Sequence, residues 1–222
     1  MKFEQTQVFN FEGALRGMRN PLNSWAKSDS TIYWRYGEQP FFHIGENDMN
    51  LAKRLIAGGT EHRKFLRQIM VSVDITAPLY WWKEFDTYKV GTTANSTSTM
   101  HKLASTPITL DCLETDDYCP DLVYFTHDGD TLTDYTISDI TSNIIEDLEA
   151  LRQKYNETGD KRYWKELIRL LPNGWLQTRT ITMNYENLRS MYHQREHHKL
   201  TEWHSFCDWV KTLPYAQELI ID

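Results

Sequence analysis

From Ile69 to Thr76 the chain alternates without a break: Ile69, Val71, Val73 and Ile75 fall on one side, and Met70, Ser72, Asp74 and Thr76 on the other. Successive side chains of an extended strand point to opposite faces, so this run reads as a half-buried β-strand. Ala77-Pro78 ends it. Leu79 to about Thr87 is then expected to be helical, because proline near a first helical turn gives up an N–H that has no intrahelical partner. A chain of 222 residues can bury the resulting core as one domain, 1–222.

The other periodicities are helical. Asn47 is placed to cap a helix carrying Leu51, Leu55 and Ile56, with Gly58-Gly59 as its stop and Glu61 to Arg67 as a basic connector. Ser138 is read as the cap of a longer helix in which Ile140, Ile144, Leu148, Leu151 and Tyr155 recur, broken at 156–159. Tyr163, Trp164, Leu167, Ile168 and Leu171 form the face of the next, ended by Pro172-Asn173-Gly174. Thr178 to Met183 reads as a short Thr-rich strand. Asn184 caps a helix presenting Leu188, Met191 and Tyr192, and a last helix, about Leu200 to Thr212, turns Trp203, Phe206, Cys207 and Val210 inward. Helices grouped around a few strands, with no βαβ repeat, predict an α+β fold. Gly91 to Thr99 reads as a polar loop, and the acidic segment Asp111 to Asp134, with its short apolar patch Leu122 to Phe125, as exposed surface or a lid.

Composition removes several classes. No apolar run reaches the roughly 18 residues of a membrane helix, and the first residues lack the pattern of a secretory signal, so a soluble, cytoplasmic protein is expected. Three cysteines without paired spacing predict free thiols rather than a disulfide framework. A formal charge of -7 opposes non-specific nucleic-acid binding, which rests on cationic contacts to phosphate. There is no phosphate loop, dinucleotide fingerprint, nucleophile elbow or kinase set. His193 and His197 stand at helical spacing, as do His204 and Cys207, but Arg195 between the first two would repel a cation, so no metal is expected. The hydroxyls and amide of Asn95-Ser96-Thr97-Ser98-Thr99 suit a phosphate, a flavin or a pyrimidine, or simply a solvated turn.

The order of these segments carries a resemblance. The strand, Ala77-Pro78, the aromatic stretch Leu79-Tyr80-Trp81-Trp82-Lys83-Glu84-Phe85, then Thr87-Tyr88-Lys89 and the hydroxyl loop resemble the signature region of the flavin-dependent thymidylate synthases. That family has an Arg-His-Arg triplet followed by spaced serines. The resemblance puts Thr87-Tyr88-Lys89 on the triplet, Thr92 on the first serine, Asn95 on an acidic position, Thr97 on the active-site serine and Thr99 on a loop arginine. Leu171-Pro172, the Thr-rich strand, and Asn184 through Arg195 resemble the family's C-terminal run, in which an Asn opens a helix and an Arg eleven positions later reaches the nucleotide. Glu186 and Ser190 stand where the family has Arg and Asn.

The resemblance implies helices on a small, mostly antiparallel sheet, and a homotetramer with FAD as cofactor. It also implies dUMP or a related pyrimidine nucleotide as acceptor, methylenetetrahydrofolate as one-carbon donor and NADPH as reductant. It assigns Lys89, Tyr88, Thr92 and Asn184 to the cofactor, Asn95, Ser96, Ser98 and Arg195 to the nucleotide, and Thr97 and Arg195 to catalysis. The departures have a magnitude: two arginines lost from a phosphate clamp, at about 1.5–3 kcal/mol each, remove roughly two to four decades of affinity. Lys89 keeps one charge, and Arg63, Lys64, Arg67 and Lys102 are the other cations at hand. Two classes therefore stay open: a divergent enzyme of this type, and an inactive nucleotide- or flavin-binding protein on the same scaffold.

Overall fold

The computed structural model describes residues 1–34, 41–127 and 133–222. In chain order its main elements are β1 (Lys2–Phe9), α1 (Phe11–Arg19), β2 (Thr31–Tyr33), β3 (Phe41–His43), α2 (Glu46–Ala57), β4 (Met70–Pro78), α3 (Leu79–Phe85), β5 (Thr93–Ser96) and α4 (Thr99–Lys102). There follow β6 (Val123–His127), β7 (Thr133–Thr136), α5 (Ile137–Thr158), α6 (Lys161–Leu170), β8 (Leu176–Asn184), α7 (Tyr185–Arg195) and α8 (Thr201–Lys211). The fold is α+β. Four strands form one sheet in the order β1-β4-β8-β5, and β2-β3 and β6-β7 are separate antiparallel pairs. Among the described residues no helix is long and apolar enough to cross a membrane.

The chain divides into two compact units, the first comprising 1–2, 76–85 and 96–179, the second 3–75, 86–95 and 180–222. In the first, Leu103, Ile108, Leu148 and Leu167 make a core against which Ile144, Leu151, Ile168 and Trp175 pack. Helix α3 starts where it does because the carbonyls of Trp175 and Asn173 accept the N–H groups of Leu79 and Tyr80, at 3.0 Å each; these are donors that a first helical turn leaves orphaned. Its aromatic rings Trp81, Trp82 and Phe85 are buried and pack against one another at 4.9–5.4 Å.

Helix α5 is tied to the preceding segment by one carboxylate. Glu149 accepts from the Ile108 N–H at 2.9 Å and from Arg152 at 2.6 and 2.7 Å, while Arg152 also donates to the Ala104 carbonyl at 3.0 Å. The Arg152 hydrogen bonds, aided by the Ile108 amide and Gln153 and opposed by burial, hold the Glu149 carboxyl down from its usual 4.5 to about 2. A depressed carboxylate stabilises the fold above its unfolded pKa and loses that contribution as pH falls through its folded one. Glu149→Gln is therefore expected to lower stability by about 1–2 kcal/mol at neutral pH, after discounting for screening, and to flatten the acid limb of a thermal-melt series between pH 4.5 and 2.

In the second unit β4 buries Val71, Val73 and Ile75, as its alternation predicts. Ile181 and Met183 of β8, Tyr185, Leu188 and Met191 of α7, and Trp203, Phe206 and Val210 of α8 are also buried. Helix α2 is capped differently from expectation. It begins at Glu46, after Gly45, and the cap is Asp29, whose carboxylate accepts the N–H groups of Asn47 and Asp48 at 2.9 and 3.1 Å. Gly45 is required by that approach, since a Cβ there would lie 2.2 Å from the Asp29 carboxyl carbon.

Other expectations change in detail. The polar loop 91–99 contains strand β5, and Thr99 opens α4. The acidic segment holds the hairpin strands β6 and β7, with Leu122, Val123, Tyr124, Phe125 and Tyr135 exposed; its residues 128–132 lie outside the described residues. Helix α5 is capped by Thr136 in a reciprocal box with Asp139 rather than by Ser138.

Candidate functional site

Asn184 ends β8 and caps α7. Its side chain accepts from the Asn187 N–H at 3.0 Å, and the Asn187 side chain accepts from the Asn184 N–H at 3.2 Å. This reciprocal cap satisfies donors that the helix start leaves open. The Asn187 amide then donates to the Val90 carbonyl at 2.7 Å, which fastens the segment after α3 to the start of α7. Thr92 closes the same turn, its hydroxyl donating to the Tyr88 carbonyl at 2.6 Å.

Gly91 makes the turn possible. Its φ is +79°, and a Cβ there would meet the side-chain amides of Asn187 and Asn184 at 2.9 and 3.0 Å. Gly91→Ala therefore combines left-handed strain with displacement of the cap, an expected loss of about 1–3 kcal/mol. Urea unfolding measures it, and a loss below about 0.5 kcal/mol contradicts this account.

The turn sets Tyr88 beside the end of α7. Arg195 Nε donates to the Tyr88 hydroxyl at 2.8 Å, and the guanidinium stands 4.8 Å over the Trp203 ring and 5.5 Å from that of Tyr88. Lys89, the next residue, is exposed. The second unit thus lays the segment 88–92 against α7, with Tyr88 bonded to Arg195 at the helix's end and Val90 to Asn187 beside the Asn184 cap at its start, about 16 Å away along the helix. Two other basic side chains are occupied: Arg63 pairs with Glu186 at 2.9 Å, and Arg189 donates to the Ile220 carbonyl at 2.7 Å. Arg63 thus answers a carboxylate that stands where the resemblance expects arginine, while Asn95 is an exposed residue of β5.

The hydroxyl residues Ser96, Thr97 and Ser98 belong to the first unit. The Thr97 N–H donates to the Thr178 carbonyl at 2.9 Å, and the Thr97 carbonyl accepts from the Gln177 side chain at 3.0 Å. Ser96 and Thr97 are exposed, and the Ser98 carbonyl accepts the Lys102 N–H at 3.1 Å. Gln177 also accepts from Arg179 Nε at 2.9 Å, so a cation that the sequence reading passed over stands one amide away from Thr97. The Arg179 guanidinium lies 4.2 Å over the Trp82 ring. Its signal was a basic residue interrupting the Thr-rich strand opposite an aromatic helix.

Among solved structures the chain is similar to the flavin-dependent thymidylate synthase ThyX of Helicobacter pylori, complexed with FAD and dUMP. The TM-score is 0.68 and the identity 16%, over 100% of this chain and 99% of that one. A second structure of Helicobacter pylori ThyX with FAD and dUMP gives 0.65 and 17%, over 100% and 98%. The UMP/dUMP methylase PolB of Streptomyces cacaoi, bound with 5-Br dUMP, gives 0.57 and 13%, over 98% and 94%. No protein-family model matches the sequence. No curated protein matches it either. At these identities the likeness establishes the fold: this chain has the α+β fold of the flavin-dependent thymidylate synthase structures.

Proposed function

We propose that this chain acts as a single domain, 1–222, in a cytoplasmic homotetramer that binds FAD and a pyrimidine nucleotide and transfers a folate-derived one-carbon unit to dUMP or a related nucleotide. The observation that carries this reading is the segment from Tyr88 to Thr92 held along α7, between the Asn184 cap and Arg195, by the long-range bonds Arg195–Tyr88 and Asn187–Val90, in a fold shared with an enzyme solved with FAD and dUMP. The reading assigns Lys89, Tyr88, Thr92 and Asn184 to the flavin. It assigns Asn95, Ser96, Ser98 and Arg195 to the nucleotide, and Thr97 and Arg195 to catalysis, with Arg179 as a further cation beside Thr97.

The residues assigned to the flavin fit a phosphorylated aromatic cofactor in chemistry: Lys89 supplies a compact charge for a phosphate and Tyr88 an aromatic face. Thr92 and Asn184 shape the turn that holds these groups in place. Bound flavin would supply the electrons for the reductive step, with NADPH as their source and methylenetetrahydrofolate as the carbon donor. The protein's own part is to orient the two rings and polarise the base.

The absorbance spectrum of purified protein, followed by titration with FAD and dUMP, tests the reading. Flavin bands and NADPH oxidation that depends on dUMP are expected; a colourless protein that takes up no flavin in calorimetry overturns it. One observation favours a second reading, a nucleotide- or flavin-binding protein without turnover. Tyr88 stands in the triplet and engages Arg195 Nε, and Lys89 is the triplet's one cation. Growth of a thymidine-requiring bacterium carrying this chain eliminates that second reading.

A further inference from the structure

Arg195 is the last residue of α7, on a long stem that would ordinarily sample many rotamers. Here it is held on several sides. Its Nε donates to the Tyr88 hydroxyl at 2.8 Å, and its guanidinium lies over the fully buried Trp203 ring at 4.8 Å. Tyr88 meets Trp203 edge-on, with centroids 6.0 Å apart and planes at 73°. Arginine has no acceptor, so the Tyr88 oxygen must accept from Arg195 and send its own hydrogen onward. It does so to Gln194 Oε1 at 3.2 Å, and Gln194 Nε2 donates in turn to Ser190 at 2.8 Å. The direction of the first bond is fixed, because the guanidinium can only donate to the Tyr88 oxygen.

The Tyr88 hydroxyl is not what holds its loop. Thr92 bonds the Tyr88 carbonyl and Asn187 the Val90 carbonyl, so the backbone is fixed without the phenol. The phenol is committed to side chains alone, and its principal partner is a cation. Trp203 offers a rigid, desolvated face on which a planar guanidinium stacks and an ammonium does not.

We propose that Tyr88 and Trp203 are positioning residues for Arg195: together they fix the plane and the facing edge of the guanidinium before any ligand arrives. The ordering of the side chain is then complete in the free protein, and an anionic group bound there does not have to supply it. What Arg195 meets rests on the functional reading above; the clamp itself does not.

Two measurements separate these layers. The first is the side-chain Nε–H resonance of Arg195 in a nitrogen-15 spectrum, assigned by its loss in Arg195→Lys. In the wild-type chain it is expected to exchange slowly with water and to be shifted by the Trp203 ring current. Tyr88→Phe, which keeps the ring and the loop, is expected to speed that exchange at least tenfold while keeping the shift; Trp203→Leu removes the shift and Trp203→Phe retains part of it. The second is calorimetric titration with FAD and with dUMP. Tyr88→Phe is expected to weaken whichever ligand uses Arg195 by about fivefold, and to have no further effect in an Arg195→Lys background, where the coupling is already lost.

Unchanged exchange in Tyr88→Phe overturns the clamp, as do affinity losses that add in the double variant. A wild-type chain that binds neither ligand overturns the functional reading, and the exchange measurement still decides the clamp. Trp203 is buried, so its substitutions bear on the question only where melting temperatures show them folded; Tyr88→Phe decides it otherwise.

Discussion

Asp48→Ala is expected to remove about 3–5 kcal/mol of stability. The carboxylate is fully buried and accepts from Arg19 Nε at 2.5 Å, from the Ser28 and Ser30 hydroxyls at 2.6 and 2.5 Å, and from the Ser30 N–H at 3.2 Å. Truncation leaves the buried Arg19 guanidinium without its counter-charge, and uncompensated burial of a charge is what makes breaking such a pair expensive. Burial alone would push the Asp48 carboxyl upward; hydrogen bonds from Ser28, Ser30 and Arg19, with the Arg19 charge, outweigh it and hold the group below the usual carboxylate range. The contribution is therefore present at neutral pH and is lost as pH falls below that range. Urea unfolding is the direct measurement. Asp48→Asn, which keeps one acceptor oxygen but loses the charge and turns the other oxygen into a donor, should lose less than Asp48→Ala, and an alanine variant within about 1 kcal/mol of wild type would contradict the account.

Arg195→Ala is the second large expectation, and it concerns binding. A charge-assisted hydrogen bond contributes about 1.5–3 kcal/mol, so the variant should bind its anionic ligand roughly ten- to a hundredfold more weakly in calorimetry. Arg195→Lys should restore only part of this, because an ammonium cannot reproduce the planar stack on Trp203. Arg195 is only half-buried, so stability should change by less than about 1 kcal/mol, and a folded variant with unaltered affinity for both FAD and dUMP removes Arg195 from the site.

How much of this was legible beforehand follows the range of the interactions. The start of α7 was readable because Asn184 caps through a partner three residues away, and β4 because one of its faces is buried and the other is not. The cap of α2 was not, since its acceptor, Asp29, lies 18 residues upstream of Asn47. Strand β5 was hidden because all four of its residues are exposed and small or polar, so no alternation marks it. β1 was hidden for a similar reason, being exposed along most of its length. Of the candidate site, the residues of the turn could be named from their order, but the bond between Tyr88 and Arg195 joins positions 107 apart. Arg179 escaped notice because its significance lies in what it touches, Gln177 and the Trp82 ring, rather than in any spacing.

The anchoring of residues 28–30 on α2 bears on where this chain can be opened. That segment looks like a connector, yet Ser28, Asp29 and Ser30 together supply a helix cap and the solvation of a buried carboxylate. An epitope insertion or a circular-permutation break there would cut the second unit's polar scaffold. Gly159, with φ of +68° and open space around the position of a Cβ, joins α5 to α6 by local ties alone, its N–H on the Tyr155 carbonyl and the Asp160 carboxylate capping α6 at Arg162, and is the better place to graft a reporter.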